Sequence, residues 1–153
     1  MRALLLVLLA TPALAQEGDV EAGDAAAGEA AFARQCVSCH VVEDPGGEVL
    51  AGRTARTGPN LYGVAGRVPG SVEGYRYSDA MLAYGATGAV WAEDNFVPYV
   101  QDPTGFLRDA LEDRRARGKM AYQVRDEEEA RDLWAYLATF RGPATEPAGE
   151  ATE

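Results

Sequence analysis

The chain has 153 residues, with 14 Lys and Arg against 24 Asp and Glu and a formal net charge of −10. Its 47% hydrophobic and 25% charged residues match one soluble globular domain and exclude a disordered chain or a pair of full-sized domains. The acidic surplus excludes nucleic acid as a partner, because phosphate binding draws on a surplus of Lys and Arg.

Residues 1–15 read as an export signal. Arg2 is followed by the apolar run ALLLVLLA, which is too short to span about 30 Å of hydrocarbon. Thr11 and Pro12 end the run, and Ala13-Leu14-Ala15 forms a small-x-small cleavage pattern before Gln16. The expected destination is the periplasm, without stable insertion in a membrane. Residues 16–23, acidic and small, read as a flexible lead-in to a domain over 24–141.

Asp24 is placed to cap a helix over 25–35, with Phe32 as its large apolar anchor. Residues 41–58, rich in glycine and holding Pro45, read as loop. Gly58-Pro59-Asn60-Leu61-Tyr62-Gly63 reads as a turn and a short ordered stretch. Asp79 is expected to cap a short helix reaching Tyr84. Phe96, Val97 and Val100 lie on one face of a helix over 93–101, and Pro103 suits the first turn of a helix running to about Arg115. Asp126 caps the clearest helix, over 127–140, where Ala130, Leu133, Trp134, Leu137 and Phe140 keep the helical period. Gly142-Pro143 stops it, and 142–153 reads as a disordered acidic tail. No segment reads as a strand, so the expected class is all-α with long loops. Such loops and a modest aromatic content leave a packing deficit that a large apolar cofactor would fill.

Cys36-Val37-Ser38-Cys39-His40 is the C-x-x-C-H pattern of heme attachment. Two thiols one turn apart can add to the two vinyl groups of a porphyrin, and the adjacent imidazole reaches the iron. Shuffling two Cys and one His at random yields this arrangement in roughly 1 of 10,000 orderings. Three other uses of these residues are weaker. A disulfide would close a tiny loop, a thioredoxin-like pair belongs to an α/β fold, and zinc lacks a fourth ligand at the usual spacing.

His40 is the sole histidine, so a second axial ligand within the chain is Met, Lys or an amine, unless the position stays open. Met1 leaves with the signal. Met81 sits on a short amphipathic helix and reads as core, whereas Met120 follows Arg117-Gly118-Lys119 in an irregular stretch and is the candidate ligand. An iron held by His and Met favours the ferrous form and has no open position, so it passes electrons rather than activating a substrate. A labile Met would make the alternative, a heme-based sensor or binder of small ligands.

These residues resemble those of class I c-type cytochromes, most closely the larger cytochrome c2 type. The resemblance spans about Gly23 to Phe140. Gly28 and Phe32, with Leu133 and Tyr136, match the crossing of the first and last helices. It implies the class I cytochrome c fold, crossed terminal helices with shorter helices and long loops around one covalent heme c. By the same resemblance the Pro59 carbonyl accepts the free ring N–H of His40, and Leu61 packs on the heme. Arg67, Tyr77 and Trp91 meet the inner propionates, and Tyr99 lies near the Met120 sulfur. Two positions depart from the pattern: Gly118 stands where many relatives have Thr, and Met81 where many have Asn. The resemblance further implies a monomeric electron carrier, not an enzyme. Its partners would be membrane complexes with acidic docking sites, such as a cytochrome bc complex and a photosynthetic reaction centre or terminal oxidase. The basic cluster Arg114, Arg115, Arg117 and Lys119 would steer docking despite the net charge.

Overall fold

The computed structural model describes residues 22–141. The expected signal over 1–15, the lead-in up to residue 21 and the tail over 142–153 lie outside the described residues.

Helix α1 (Ala25–Gln35) begins where the Asp24 side chain accepts the N–H groups of Ala26 and Ala27, satisfying two donors that the first turn leaves free. Its buried face is Gly28, Ala31 and Phe32. It packs across α5 (Glu127–Leu137), which buries Ala130, Leu133 and Leu137. The two meet at Gly28, where a Cβ would overlap the Asp132 carbonyl and lie 2.8 Å from the Tyr136 Cβ. Phe32 and Tyr136 then touch with ring centroids 5.7 Å apart. An ion pair, Arg34 to Glu129 at 2.7 Å, spans the same helices, but the exposed Arg34 end is too solvated for it to add much.

Two antiparallel strands correct the all-loop reading of 41–58. They are β1 (Val41–Glu43) and β2 (Val49–Gly52), paired Val41 with Gly52, Val42 with Ala51 and, after a bulge, Glu43 with Val49. The turn between them is built by Asp44, whose carboxylate accepts the Glu48 N–H at 2.8 Å and whose carbonyl accepts that of Gly47, at φ +87°. Val41 and Val42 are both fully buried, which is what a strand packed on both sides requires.

Helix α2 (Asp79–Ala86) is capped by Ser78, not Asp79, and runs past Tyr84. The hydroxyl wins because Ser78 has the extended backbone of a cap, so its oxygen reaches the Met81 N–H at 3.2 Å. Helix α3 (Glu93–Gln101) has the expected bounds, with Phe96, Val97 and Val100 buried. Helix α4 (Pro103–Ala110) stops short of Arg115. Glu112 enters the left-handed region at φ 52°, and the Asp113 carboxylate takes the Arg115 N–H at 2.8 Å, so the chain turns there. Helix α5 ends at Leu137, and a tighter turn carries the chain on through Thr139 N–H to Tyr136 O and Phe140 N–H to Leu137 O. Apart from the hairpin, the fold is helical. None of its described helices is long and apolar enough to cross a membrane.

Candidate functional site

The C-x-x-C-H segment leaves α1 without straightening. The N–H groups of Cys39 and His40 both return to the Cys36 carbonyl, at 3.0 and 2.8 Å, which winds one more turn. Both thiols and the imidazole therefore border one cavity of about 300 Å³. That volume falls at the lower end of the range for small-molecule and cofactor sites, about 300–1,000 Å³. Its wall is mainly apolar, with Leu61, Val64, Met81, Phe96, Leu133 and Leu137 among its members.

The imidazole is oriented by the loop after β2. His40 Nδ1 lies 2.9 Å from the Pro59 carbonyl. A carbonyl only accepts, so Nδ1 carries the proton and Nε2 keeps its lone pair. Burial lowers the imidazole pKa below its ordinary value, with the Pro59 bond opposing. The net shift favours a neutral ring with a free donor nitrogen, the form a metal binds. Gly58 lets the loop run against the ring. A Cβ there would lie 2.6 Å from Nδ1 and 2.7 Å from Nε2.

The loop itself is stitched to β1 by Asn60, a residue that spacing did not single out. Asn60 Oδ1 accepts the N–H groups of Glu43 and Tyr62, each at 3.0 Å, and its Nδ2 donates to the Glu43 carbonyl at 2.7 Å. The Leu61 N–H adds a bond to the Val41 carbonyl at 2.9 Å. The only sequence signal was an Asn in a turn, which is too common to point at a role. Asn60→Ala removes three half-buried hydrogen bonds and is expected to cost about 2 kcal/mol. Denaturant unfolding of the holoprotein measures it; an unchanged midpoint would show that the strand holds the loop unaided.

Arg67 lies over the same loop. Its guanidinium donates to the Tyr62 carbonyl at 2.7 Å and the Asn60 carbonyl at 3.0 Å. Among the described residues no carboxylate pairs with it. Burial lowers its pKa from the ordinary value, yet a guanidinium stays charged. A half-buried cation bordering a cavity without an anionic partner suits an anionic group inside that cavity. Tyr77, Trp91 and Tyr99 border the cavity too. Burial raises the pKa of both phenols, so they remain hydrogen-bond donors at neutral pH. Trp91 and Tyr99 pack at 4.9 Å between centroids, and Trp91 is held by its N–H to the Arg67 carbonyl at 2.9 Å.

Cys36, Cys39, His40, Pro59, Leu61, Arg67, Tyr77, Trp91, Tyr99 and Met120 thus all lie on the wall of one cavity. Met81 lies on it as well, buried on α2, so the helical methionine is core and cavity wall together. Tyr75, Tyr122 and Gln35 also border it, and sequence reasoning had not placed them there.

The thiols do not suit dithiol exchange. Burial, then the charge of Glu129 and then Cys39, pushes the Cys36 thiol up to about 12. A nucleophilic thiolate needs the opposite shift. Among the described residues no group of three or more His, Cys, Asp or Glu is arranged to hold a metal ion. What the donor set does fit is a flat iron porphyrin. It offers two thiols for its edge, an oriented imidazole and thioether sulfurs for its metal, apolar walls for its faces, and a cation with phenols for its carboxylates. A second cleft, lined by Glu93, Asp94, Glu127 and Arg131, is an open surface feature without a cysteine or His40.

Comparison with known proteins agrees with this fit. The cytochrome c family model matches residues 25–141. The chain is 61% identical over 107 residues to cytochrome c2 of Rhodovulum adriaticum, covering 70% of this chain and 85% of that protein. It is 49% identical over 129 residues to cytochrome c2 of Cereibacter sphaeroides, covering 84% and 85%. Among solved structures, cytochrome c2 from Rhodobacter sphaeroides superposes with a TM-score of 0.76 at 45% identity, over 80% of this chain and 99% of that one. Ferric cytochrome c-550 from Paracoccus versutus gives 0.71 at 38% identity, over 78% and 99%. The chain therefore belongs to the cytochrome c family as a class I cytochrome of the c2 type, an electron-transfer protein rather than an enzyme, carrying one covalently bound heme c.

Proposed function

We propose that this cytochrome is a monomeric carrier that shuttles single electrons through the periplasm. It would run between membrane complexes such as a cytochrome bc complex and a photosynthetic reaction centre or terminal oxidase. The observation that carries the reading is the meeting of His40 and Met120, from opposite ends of the domain, on the wall of the cavity that also holds both thiols. In this reading Cys36 and Cys39 anchor the heme, whose iron supplies a one-electron couple when bound. His40 and Met120 would ligate that iron.

The protein's own residues do the rest. The Pro59 carbonyl fixes the imidazole plane, and the apolar wall excludes water and so limits the solvent rearrangement that accompanies a change of charge. Arg67, Tyr77 and Trp91 would balance the heme carboxylates, Leu61 would pack on the ring, and Tyr99 would lie beside the Met120 sulfur, since all five line the same cavity. Arg114, Arg115, Arg117 and Lys119 are exposed and lead directly to Met120. Lys119 borders the cavity, and together the four would form a basic rim that raises the rate of encounter with acidic docking sites more than the lifetime of the complex.

Met120→Ala tests the ligand assignment. Losing the thioether is expected to abolish the weak long-wavelength band of sulfur-bound ferric iron. The reduction potential should fall by on the order of 0.2 V, within the range of about 0.8 V that axial ligands span. Met81→Leu should leave both unchanged. The reverse pattern would move the ligand to α2.

A further inference from the structure

The segment that carries Met120 has little backbone support. Among the described residues, 119–123 make no backbone–backbone hydrogen bond. The supports lie at its flanks, where the Gly118 N–H meets Thr104 Oγ1 at 3.3 Å and the Val124 N–H meets the Val100 carbonyl at 2.9 Å. Between them, side chains do the holding. Lys119 Nζ donates to the Arg76 carbonyl. Gln123 Nε2 reaches Asp102 Oδ1 at 3.4 Å, on the outer side. The Tyr122 hydroxyl donates to Gln35 Oε1 at 2.6 Å.

The last of these is different in kind. Gln35 is the final residue of α1, next to Cys36, and both Gln35 and Tyr122 border the cavity. Among the described residues, theirs is the one side-chain hydrogen bond that joins 119–123 to the wall bearing the thiols and His40. A phenol can donate or accept, so the bond survives either orientation of the amide. Tyr122 is 48% exposed and Gln35 is half-buried, so the bond lies at the surface.

We propose that Tyr122 and Gln35 are positioning residues that form a latch over the cavity mouth. The latch sets how often the Met120 segment swings open and so how readily an outside ligand enters. The inference deepens the electron-carrier reading, and only its ligand-binding arm rests on Met120 being bound to iron. A segment without backbone bonds opens as a unit once its side-chain ties release. Each tie then multiplies the closed population by the factor that one hydrogen bond contributes, about fivefold.

The test uses the ferric holoprotein with imidazole as the outside ligand. Tyr122→Phe keeps the ring and loses the hydroxyl, and is expected to raise the imidazole association rate about fivefold. Gln35→Leu should do the same, the double variant should add nothing further, and Gln35→Glu, which keeps an acceptor oxygen, should stay near the original rate. A second readout is alkylation of the Met120 thioether by bromoacetate, with Met81, 6% exposed, as the internal comparison. Faster alkylation at Met120 alone supports the latch even if imidazole binding does not change, and in that case it is the iron–sulfur assignment that falls. Original rates in both assays for Tyr122→Phe overturn the latch, as does a double variant whose effects multiply. A lowered thermal midpoint with both rates unmoved overturns it too, since that is what a purely structural contact would give.

Discussion

Gly28→Val is expected to lower the thermal midpoint of the holoprotein by roughly 10–20 °C, as a loss of about 3 kcal/mol implies for a domain of this size. Two effects oppose each other. Any residue other than Gly or Pro gains helix propensity here, up to about 1 kcal/mol for Ala. Against that, the first atom of any side chain overlaps the Asp132 carbonyl and sits 2.8 Å from the Tyr136 Cβ. The obstacle is α5 backbone, which cannot rotate aside as a side chain would, so relief requires the two helices to part. Parting them uncovers Phe32 and Leu133, at 1% and 2% exposure the centre of the contact. Overlap therefore outweighs propensity. Gly28→Ala should show the same sign with a smaller shift. Differential scanning calorimetry decides it, and an Ala variant more stable than the parent would mean that the helices slide apart at little cost.

Gly58→Ala is expected to disturb the proposed iron ligand His40 directly. No positive φ marks Gly58, so alanine meets no backbone penalty there and the effect isolates one methyl group. That methyl would lie 2.6 Å from His40 Nδ1 and 2.7 Å from Nε2, well inside contact distance. Either the ring tilts or the loop backs away, and both strain the Pro59 bond now at 2.9 Å. The loop resists, because Asn60 and the Leu61 N–H tie it to β1. A cost of about 2–3 kcal/mol follows from overpacking at a site with fixed neighbours. The ferric spectrum should split into more than one species as the imidazole loses its single orientation. Denaturant unfolding and electron paramagnetic resonance of the ferric form report the two effects. A single unshifted species would show that the loop yields freely.

Much of this was legible in the sequence, for physical reasons that differ by element. Helix α1 starts where expected because Asp24 caps it, and α3 has the expected bounds because Phe96, Val97 and Val100 share its buried face and Pro103 follows its end. Helix α4 was read too long because Glu112, an ordinary helix former, sits in the left-handed region, and no propensity announces that. The hairpin was missed because β1 has only three residues and β2 exposes most of its side chains, so neither shows a usable alternation. Its strands exist because β1 is shared, with β2 on one side and the Asn60 loop on the other. The capping error at Ser78 is of the same kind, since two adjacent oxygen-bearing residues compete and backbone geometry decides between them.

The sequence by itself determined the chemistry. Covalent spacing put two thiols beside one imidazole, and with a single histidine available the reading of the chain had few other directions to take. Tertiary structure decided everything that depends on residues far apart meeting. It brought Met120 to the cavity of His40, set Asn60 to holding the loop whose Pro59 carbonyl orients the ring, and placed the Tyr122 hydroxyl on Gln35. Local order is written in neighbouring residues because backbone sterics and capping act within a turn or two. Contacts between distant segments depend on how whole elements pack, and no short stretch of sequence carries that information.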